Sequence, residues 1–307
     1  MVPVLAAYRA HVGDTEVPTI EEFDTNYAHL INCDPNEDIA VIETGDGTVI
    51  AYCRTSWADM ESGARDCIVF SPIHPDHHDR PLFAQLTEAQ EAHARPWVQD
   101  AHDARYRTSA IHPGPGREPT EDAAWLESMG YTATEWGAVL VRPDLDDIPE
   151  RGLPPGVEVR PVDPDQVRRI WEVHWEAFRG EWDFREATVE DIDREIAGPH
   201  NDTALWKIAW AGDQIVGQVK SFINPDENAE RGYLRGYTEF ISVHKDWRNK
   251  GIAGALLAMS LGELKAVGMT EAALGVDTNN PGGAFHLYTS LGFELQSYEA
   301  VYTKPIG

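Results

Sequence analysis

One segment narrows the choice of fold more than any other: Ile241-Ser-Val-His-Lys-Asp-Trp-Arg-Asn-Lys-Gly-Ile-Ala-Gly-Ala-Leu-Leu257. A strand-like run enters a tight loop, and the loop opens an apolar-periodic helix reaching about Val267. The first N–H groups of a helix lack intrahelical partners and sit at the positive end of its dipole. Gly251 permits an unusual φ and close backbone approach, while Arg248 and Lys250 add formal charge. Together these make a pyrophosphate cradle. An ordinary strand-to-helix turn with a solvated basic loop would share the pattern. The spacing is neither Gly-x-x-x-x-Gly-Lys-Ser/Thr nor Gly-x-Gly-x-x-Gly, so the usual nucleotide loops are excluded.

The elements around this segment give an α/β order. A connector rich in Pro, Gly and acids, Pro143 to Gly156, divides the 307 residues almost in half. After it come a strand at Val157–Val162 and a helical stretch within Pro164–Gly180, then strands at Ala204–Trp210 and Gln214–Ile223. Strand Arg235–Val243 feeds the loop; strand Glu271–Asp277, a short helix Ala284–Ser290 and a last strand ending near Tyr302 follow. This β-α-β-β-β-α-β-α-β order is one mixed α/β domain.

The first half repeats the theme. Glu37–Glu43 and Thr48–Ser56 form a hairpin about Gly45-Asp46-Gly47, Asp66–Ser71 is strand-like and Phe83–His93 helical. Trp125-Leu-Glu-Ser-Met-Gly-Tyr131 echoes Leu287-Tyr-Thr-Ser-Leu-Gly-Phe293. A repeat of this length means a duplicated domain, with boundaries at 1–148 and 156–307.

With both motifs in view, the chain resembles the GNAT acetyltransferase superfamily. Val243 to Ala253 is similar to its Arg/Gln-x-x-Gly-x-Gly/Ala acyl-CoA motif, and Asn280 to Phe293 resembles its Asn-x-x-Ala-x-x-Leu-Tyr-x-x-Leu-Gly-Phe signature. The resemblance implies two tandem GNAT-like acyl-CoA N-acyltransferase domains built on mixed sheets. It implies that Arg248, Asn249, Lys250, Gly251, Ile252, Ala253 and Gly254 hold the pyrophosphate of acetyl-CoA, mostly through backbone N–H. Ile241, Ser242 and Val243 would pair with the pantetheine amides, a splay from strand Ala272–Asp277 admitting that arm. Asn280 would fix the arm and Tyr288 would give a proton to the leaving thiolate. Asn280 stands four residues before Ala284, where the family has three, and Gly282-Gly283 would absorb the difference.

Direct transfer also needs a base. Strand alternation puts Glu239 on the side of Tyr237 and Ile241, near the thioester; a structural pairing with Arg235 is the other reading. Tyr288, with an ordinary phenol pKa of about 10, is protonated at neutral pH. Trp171, Trp175, Phe178 and Trp182 recur at helical spacing and read as a core face, while Glu176, Glu181 and Asp183 beside them suit a cationic acceptor. In the first half His78 stands where Arg248 should be, Pro81 replaces Gly251 and Leu126 replaces Tyr288, so that copy is degenerate. His74-Pro-Asp-His77-His78-Asp79 looks metal-like, but no further Cys/His completes a tetrahedral set, and no metal is expected.

Composition closes off other classes. Asp plus Glu number 52 against 25 Lys plus Arg, a net charge of −27 that repels nucleic acid and anionic membranes and favours cationic small substrates. Three sparse cysteines, with neither a signal peptide nor a spanning run, point to the cytoplasm. The expected activity is transfer of an acetyl or other short acyl group to a primary amine of a small, cationic acceptor; the oligomeric state is left open. A non-catalytic acyl-CoA sensor and a tRNA-dependent aminoacyl transferase compete with it, the charge opposing the second.

Overall fold

The sequence divides at a connector; the structure divides inside a strand. The computed structural model describes residues 1–14, 18–99, 101–179, 186–278 and 283–306. One unit takes the chain from Met1 to Gly137 and regains it from Ser297. The other holds Ala138 to Gln296, apart from a short stretch ending at Glu186. The boundaries expected at 148 and 156 therefore move. A Pro-rich stretch reports exposure, whereas unit membership follows strand pairing, and two strands of 11 and 12 residues are shared out along their length.

The first unit contains α1 (Val2–Val12), α2 (Ile20–Ala28), β1 (Ile39–Glu43), β2 (Val49–Asp59), β3 (Ala64–Phe70), α3 (Arg80–Ala94), β4 (Asp103–Pro113), α4 (Glu121–Ser128) and the start of β5 (Thr132–Arg142). Strands β1 to β3 are antiparallel, and β3 and β4 run parallel. The last strand of the chain pairs antiparallel with β4, from Ser297↔Pro113 to Pro305↔Arg105. Phe83, Leu86, Tyr106, Leu126, Tyr131 and Tyr302 form the core. Strand β4 was not expected because its alternation is small and aromatic rather than aliphatic. Ala104, Tyr106, Ala110 and His112 are buried, while Arg105 and Arg107 grip the buried Asp66 at 2.6 and 3.0 Å.

The second unit contains β6 (Glu158–Arg160), α5 (Val167–Ala177), α6 (Val189–Ala197), β7 (Lys207–Ala211), β8 (Gln214–Phe222), α7 (Pro225–Arg231), β9 (Arg235–Val243), α8 (Ile252–Ala266), β10 (Glu271–Asp277), α9 (Ala284–Thr289) and the start of β11 (Glu294–Pro305). Strands β6 to β9 are antiparallel and β10 runs parallel to β9, a mixed sheet as expected. Helix α8 lies on one face, so close that a Cβ at Gly217 would meet Ile252 at 2.6 Å and one at Gly236 would meet Leu264 at 2.4 Å. On the other face Ile170, Trp171 and Ile192 of α5 and α6 pack with Trp206, Ile208 and Trp210, the core role expected of Trp171. The unexpected helices α2 and α6 begin at capping boxes, Thr19 with Glu22 and Thr188 with Asp191, which satisfy N-terminal donors.

Candidate active site

Strands β9 and β10 pair only from Arg235↔Glu271 to Tyr237↔Ala273, yet β9 runs on to Val243 and β10 to Asp277. Beyond Tyr237 the two strands have separated. A bulge accompanies the opening: Gln218 faces Ser242 but Lys220 faces Glu239, so Phe240 and Ile241 share the place opposite Val219. Phe240 has φ of +51°, a left-handed conformation that a bulky residue holds only under constraint. Gly236 lies against α8, whereas Phe240 packs on Trp171 at 4.7 Å and Ser242 Oγ sits 3.3 Å from His174 Nδ1, both on α5. Even-numbered residues thus change faces within one strand. The alternation that grouped Glu239 with Ile241 does not survive the bulge.

At the far end of β9 the loop ends in Gly251, which is left-handed (φ +81°) and starts α8 with no side-chain cap. The first intrahelical bond runs from Ala255 N to Gly251 O, leaving the N–H groups of Ile252, Ala253 and Gly254 without helix partners. Asn249 is also left-handed, at φ +61°. Arg248 does more than supply charge: its guanidinium donates to Ala177 O at 2.6 Å and Val243 O at 3.3 Å, tying the loop to α5 and β9. Lys250 Nζ donates to Asp246 O at 2.9 Å and lies over the Trp247 ring. Both cations are fixed by backbone carbonyls, Arg248 by those of α5 and β9 and Lys250 by one within the loop.

Tyr288 projects from α9 and is 6% exposed, its ring edge-on to Phe293 at 6.3 Å. Burial first, and the charge of Glu239 second, push its phenol well above the ordinary range expected from sequence. Tyr288 and Glu239 are therefore electrostatic neighbours although they lie on a helix and a strand. Glu239 Oε1 accepts the Gly275 N–H at 2.7 Å, while Arg235 is ion-paired with Glu271 at 2.7 Å. Asn280 lies outside the described residues, as do Glu181, Trp182 and Asp183. Glu176 is exposed and paired with Arg179 at 2.8 Å.

Two features escaped the sequence reading. Arg151, from the connector, lies so close to the first turn of α8 that a Cβ at Gly254 would meet its Cδ and Nη1 at 3.1 Å; its Nη2 donates to Ser290 Oγ at 2.8 Å. No local pattern marks an arginine whose partners are distant in sequence. Lys220, only 2% exposed, lies between α5 and the bulge with Nζ 3.5 Å from the Trp171 ring centroid and 5.2 Å from that of Phe240. Burial pulls its ammonium well below the usual range against the pull of Glu195, and burial with the Lys220 charge does the same to His174.

A mixed sheet whose central strands part beside a bulge, next to a helix that opens without a side-chain cap, is the architecture of an acyl-CoA-dependent N-acyltransferase. Residues 167–293, nearly all in the second unit, match the model of the Acetyltransferase (GNAT) family, and the activity this supports is acetyl transfer from acetyl-CoA to an amine. Among relatives, the chain is 26% identical over 263 residues to the mycothiol acetyltransferase of Streptomyces coelicolor, covering 83% of this chain and 76% of that protein. It is 29% identical over 259 residues to that of Frankia casuarinae, covering 80% and 69%. The fold is shared with a GCN5-related N-acetyltransferase from Sphaerobacter thermophilus (TM-score 0.69, 20% identity, 99% of this chain and 91% of that one). It is also shared with a tandem GNAT protein from the clavulanic acid biosynthesis pathway (TM-score 0.64, 16% identity, 99% and 93%). Among the described residues, no helix is long and apolar enough to cross a membrane.

Proposed function

We propose that the second unit alone catalyses transfer, by direct attack of a primary amine on the acetyl thioester. The observation that carries this reading is the parting of β9 and β10 beyond Tyr237, with Glu239 and Tyr288 beside it and the open α8 amides at the end of β9. Acetyl-CoA lies along β9, its amides against Ile241–Val243 and its pyrophosphate on Ile252, Ala253 and Gly254, with Arg151, Arg248 and Lys250 supplying charge. Glu239 takes the amine proton as nitrogen bonds to the carbonyl carbon. The C–S bond breaks, and Tyr288 gives its phenolic proton to the departing thiolate. The products are an amide and CoA thiol.

The first unit is a degenerate copy in this reading. Asp79 Oδ1 accepts Leu82 N at 2.8 Å at the start of α3, so a carboxylate occupies the place of a phosphate, and Pro81 has no N–H to offer. The acceptor is a small amine, with cationic amines favoured by the charge of −27. The relatives' name makes the amine counterpart of mycothiol the first compound to assay. Thiol release from acetyl-CoA across an amine panel tests the proposal: acceptor-dependent turnover supports it, and tight acetyl-CoA binding without turnover on any amine would replace it with a sensor.

A further inference from the structure

His78, read from the sequence as a lost cradle residue, has companions that spacing did not reveal. His11 in the last turn of α1 and Glu121 in the first turn of α4 bring a ligand atom each within 4.8 Å of one on His78 and of one another. His11 and Glu121 are exposed, but the His78 side chain is only 2% exposed. Its Nε2 is 2.8 Å from Asp122 Oδ1, an ion-pair distance, yet neither ring nitrogen makes an aligned hydrogen bond. Asp122 thus answers one ring nitrogen at ion-pair distance, and the buried Nδ1 is the nitrogen that still needs a partner. The rings of His11 and His78 meet edge-on at 4.9 Å, and the Trp125 ring lies 5.0 Å from that of His78.

We infer that His11, His78 and Glu121 form a binding site for one divalent transition-metal ion, with zinc as the best match. Two imidazoles and one carboxylate are the donor set that borderline ions select over Mg²⁺ and Ca²⁺, which prefer oxygen alone. With Nε2 turned to Asp122, Nδ1 is the His78 nitrogen left for the ion. Asp122 stands where an outer carboxylate orients a ligating histidine, and Tyr8 Oη donates to Asp122 Oδ2 at 2.7 Å, fixing that carboxylate in turn. Exposure of His11 and Glu121 leaves a side open for water as a further ligand. The ion would clip α1 to α4 at the position the degenerate copy no longer uses for phosphate. Nothing in this site depends on the acyl-transfer reading.

The test is zinc titration of the full chain, stripped with a chelator, against a chromogenic competitor, with cobalt absorption as a second readout. The wild type should bind one Zn²⁺ per chain at micromolar concentration or tighter, give a Co²⁺ spectrum with intense ligand-field bands, and melt at a higher temperature with zinc. His11→Ala and Glu121→Gln change exposed side chains, so both should keep the wild-type circular dichroism. Each should weaken zinc at least about tenfold and lose the zinc-dependent rise in Tm. No stoichiometric binding at micromolar zinc, or binding unchanged in both folded variants, would overturn the site; the second result would move the ion to other groups such as His74 and His77.

Discussion

Glu239 Oε1 accepts the amide of Gly275 at 2.7 Å across the interval where β9 and β10 have ceased to pair. A side chain thus spans a gap that backbone bonds have left open. The same carboxylate raises the phenol of Tyr288, placing strand, facing strand and helix around one point.

Glu239→Gln separates positioning from proton transfer. The amide oxygen of Gln still accepts from Gly275, so fold and acetyl-CoA affinity should hold. Loss of the base should lower kcat roughly 10²-fold. Removing the charge should also bring the Tyr288 phenol down, measurable by ultraviolet titration. Unchanged kcat, with chemistry rate-limiting, would assign deprotonation elsewhere.

Tyr288→Phe removes one hydroxyl and keeps the ring that packs on Phe293. Acetyl-CoA binding should be within about twofold of wild type, and kcat should fall by roughly 10²-fold or more if the phenol donates to the thiolate. The phenol is protonated across the accessible pH range, so wild-type kcat should show no alkaline limb from Tyr288 below about pH 10. Pre-steady-state thiol release measures both.

In the cradle, Arg248 and Arg151 should differ. Arg248→Ala deletes the bonds to Ala177 O and Val243 O, so it should loosen the loop, lower Tm and weaken acetyl-CoA about tenfold, ~1.4 kcal/mol. Arg151→Ala should weaken the cofactor by several-fold with little change in Tm, since its own bond is to the exposed Ser290. Gly251→Pro forbids φ of +81° and should be worse than either. Calorimetry and thermal melts together distinguish the three.

Acetyl-CoA should titrate to one site per chain. At the α3 start Asp79 is already the anion, and Pro81 removes a donor. Neither His78→Arg nor Pro81→Gly alone should create a second site. Two equivalent sites by calorimetry would end the degenerate-copy reading.

Lys220 should make stability depend on pH. The unfolded chain holds this proton up to a pKa of about 10.4, and the folded chain releases it well below that. Between the two values the unfolded state binds more protons, so stability rises with pH through that window. Glu195 draws the folded value up and His174 faces the same cluster. Lys220→Met, which still packs on Trp171, should raise Tm by a few degrees at pH 7 and flatten this slope. A Tm lowered equally at pH 7 and pH 9.5 would contradict it.

Much of this protein is written locally. The loop at Arg248–Gly254, the repeat of Trp125–Tyr131 at Leu287–Phe293, and Pro81 and Leu126 in the places of Gly251 and Tyr288 are local patterns, because a strand-to-helix turn and a short helix are made from neighbours in the chain. Elements whose burial is polar were hidden. Strand β4 keeps Arg105 and Arg107 on Asp66, so apolar alternation does not show it.

The sequence by itself determined the mixed α/β class and the duplication, and it is the source of the proposed anion-binding turn and of Glu239 and Tyr288 as the proposed catalytic pair. The tertiary structure decided where the halves divide, because from Ser297 onward β11 follows its pairing with β4 and not linker composition. It also decided which way β9 faces. One residue added opposite Val219 reverses the side-chain period, and only the pairing of β8 with β9 reveals it. Arg151 beside Gly254, Lys220 under Trp171 and the His11–His78–Glu121 cluster are likewise meetings of distant residues, fixed by packing and absent from any local pattern.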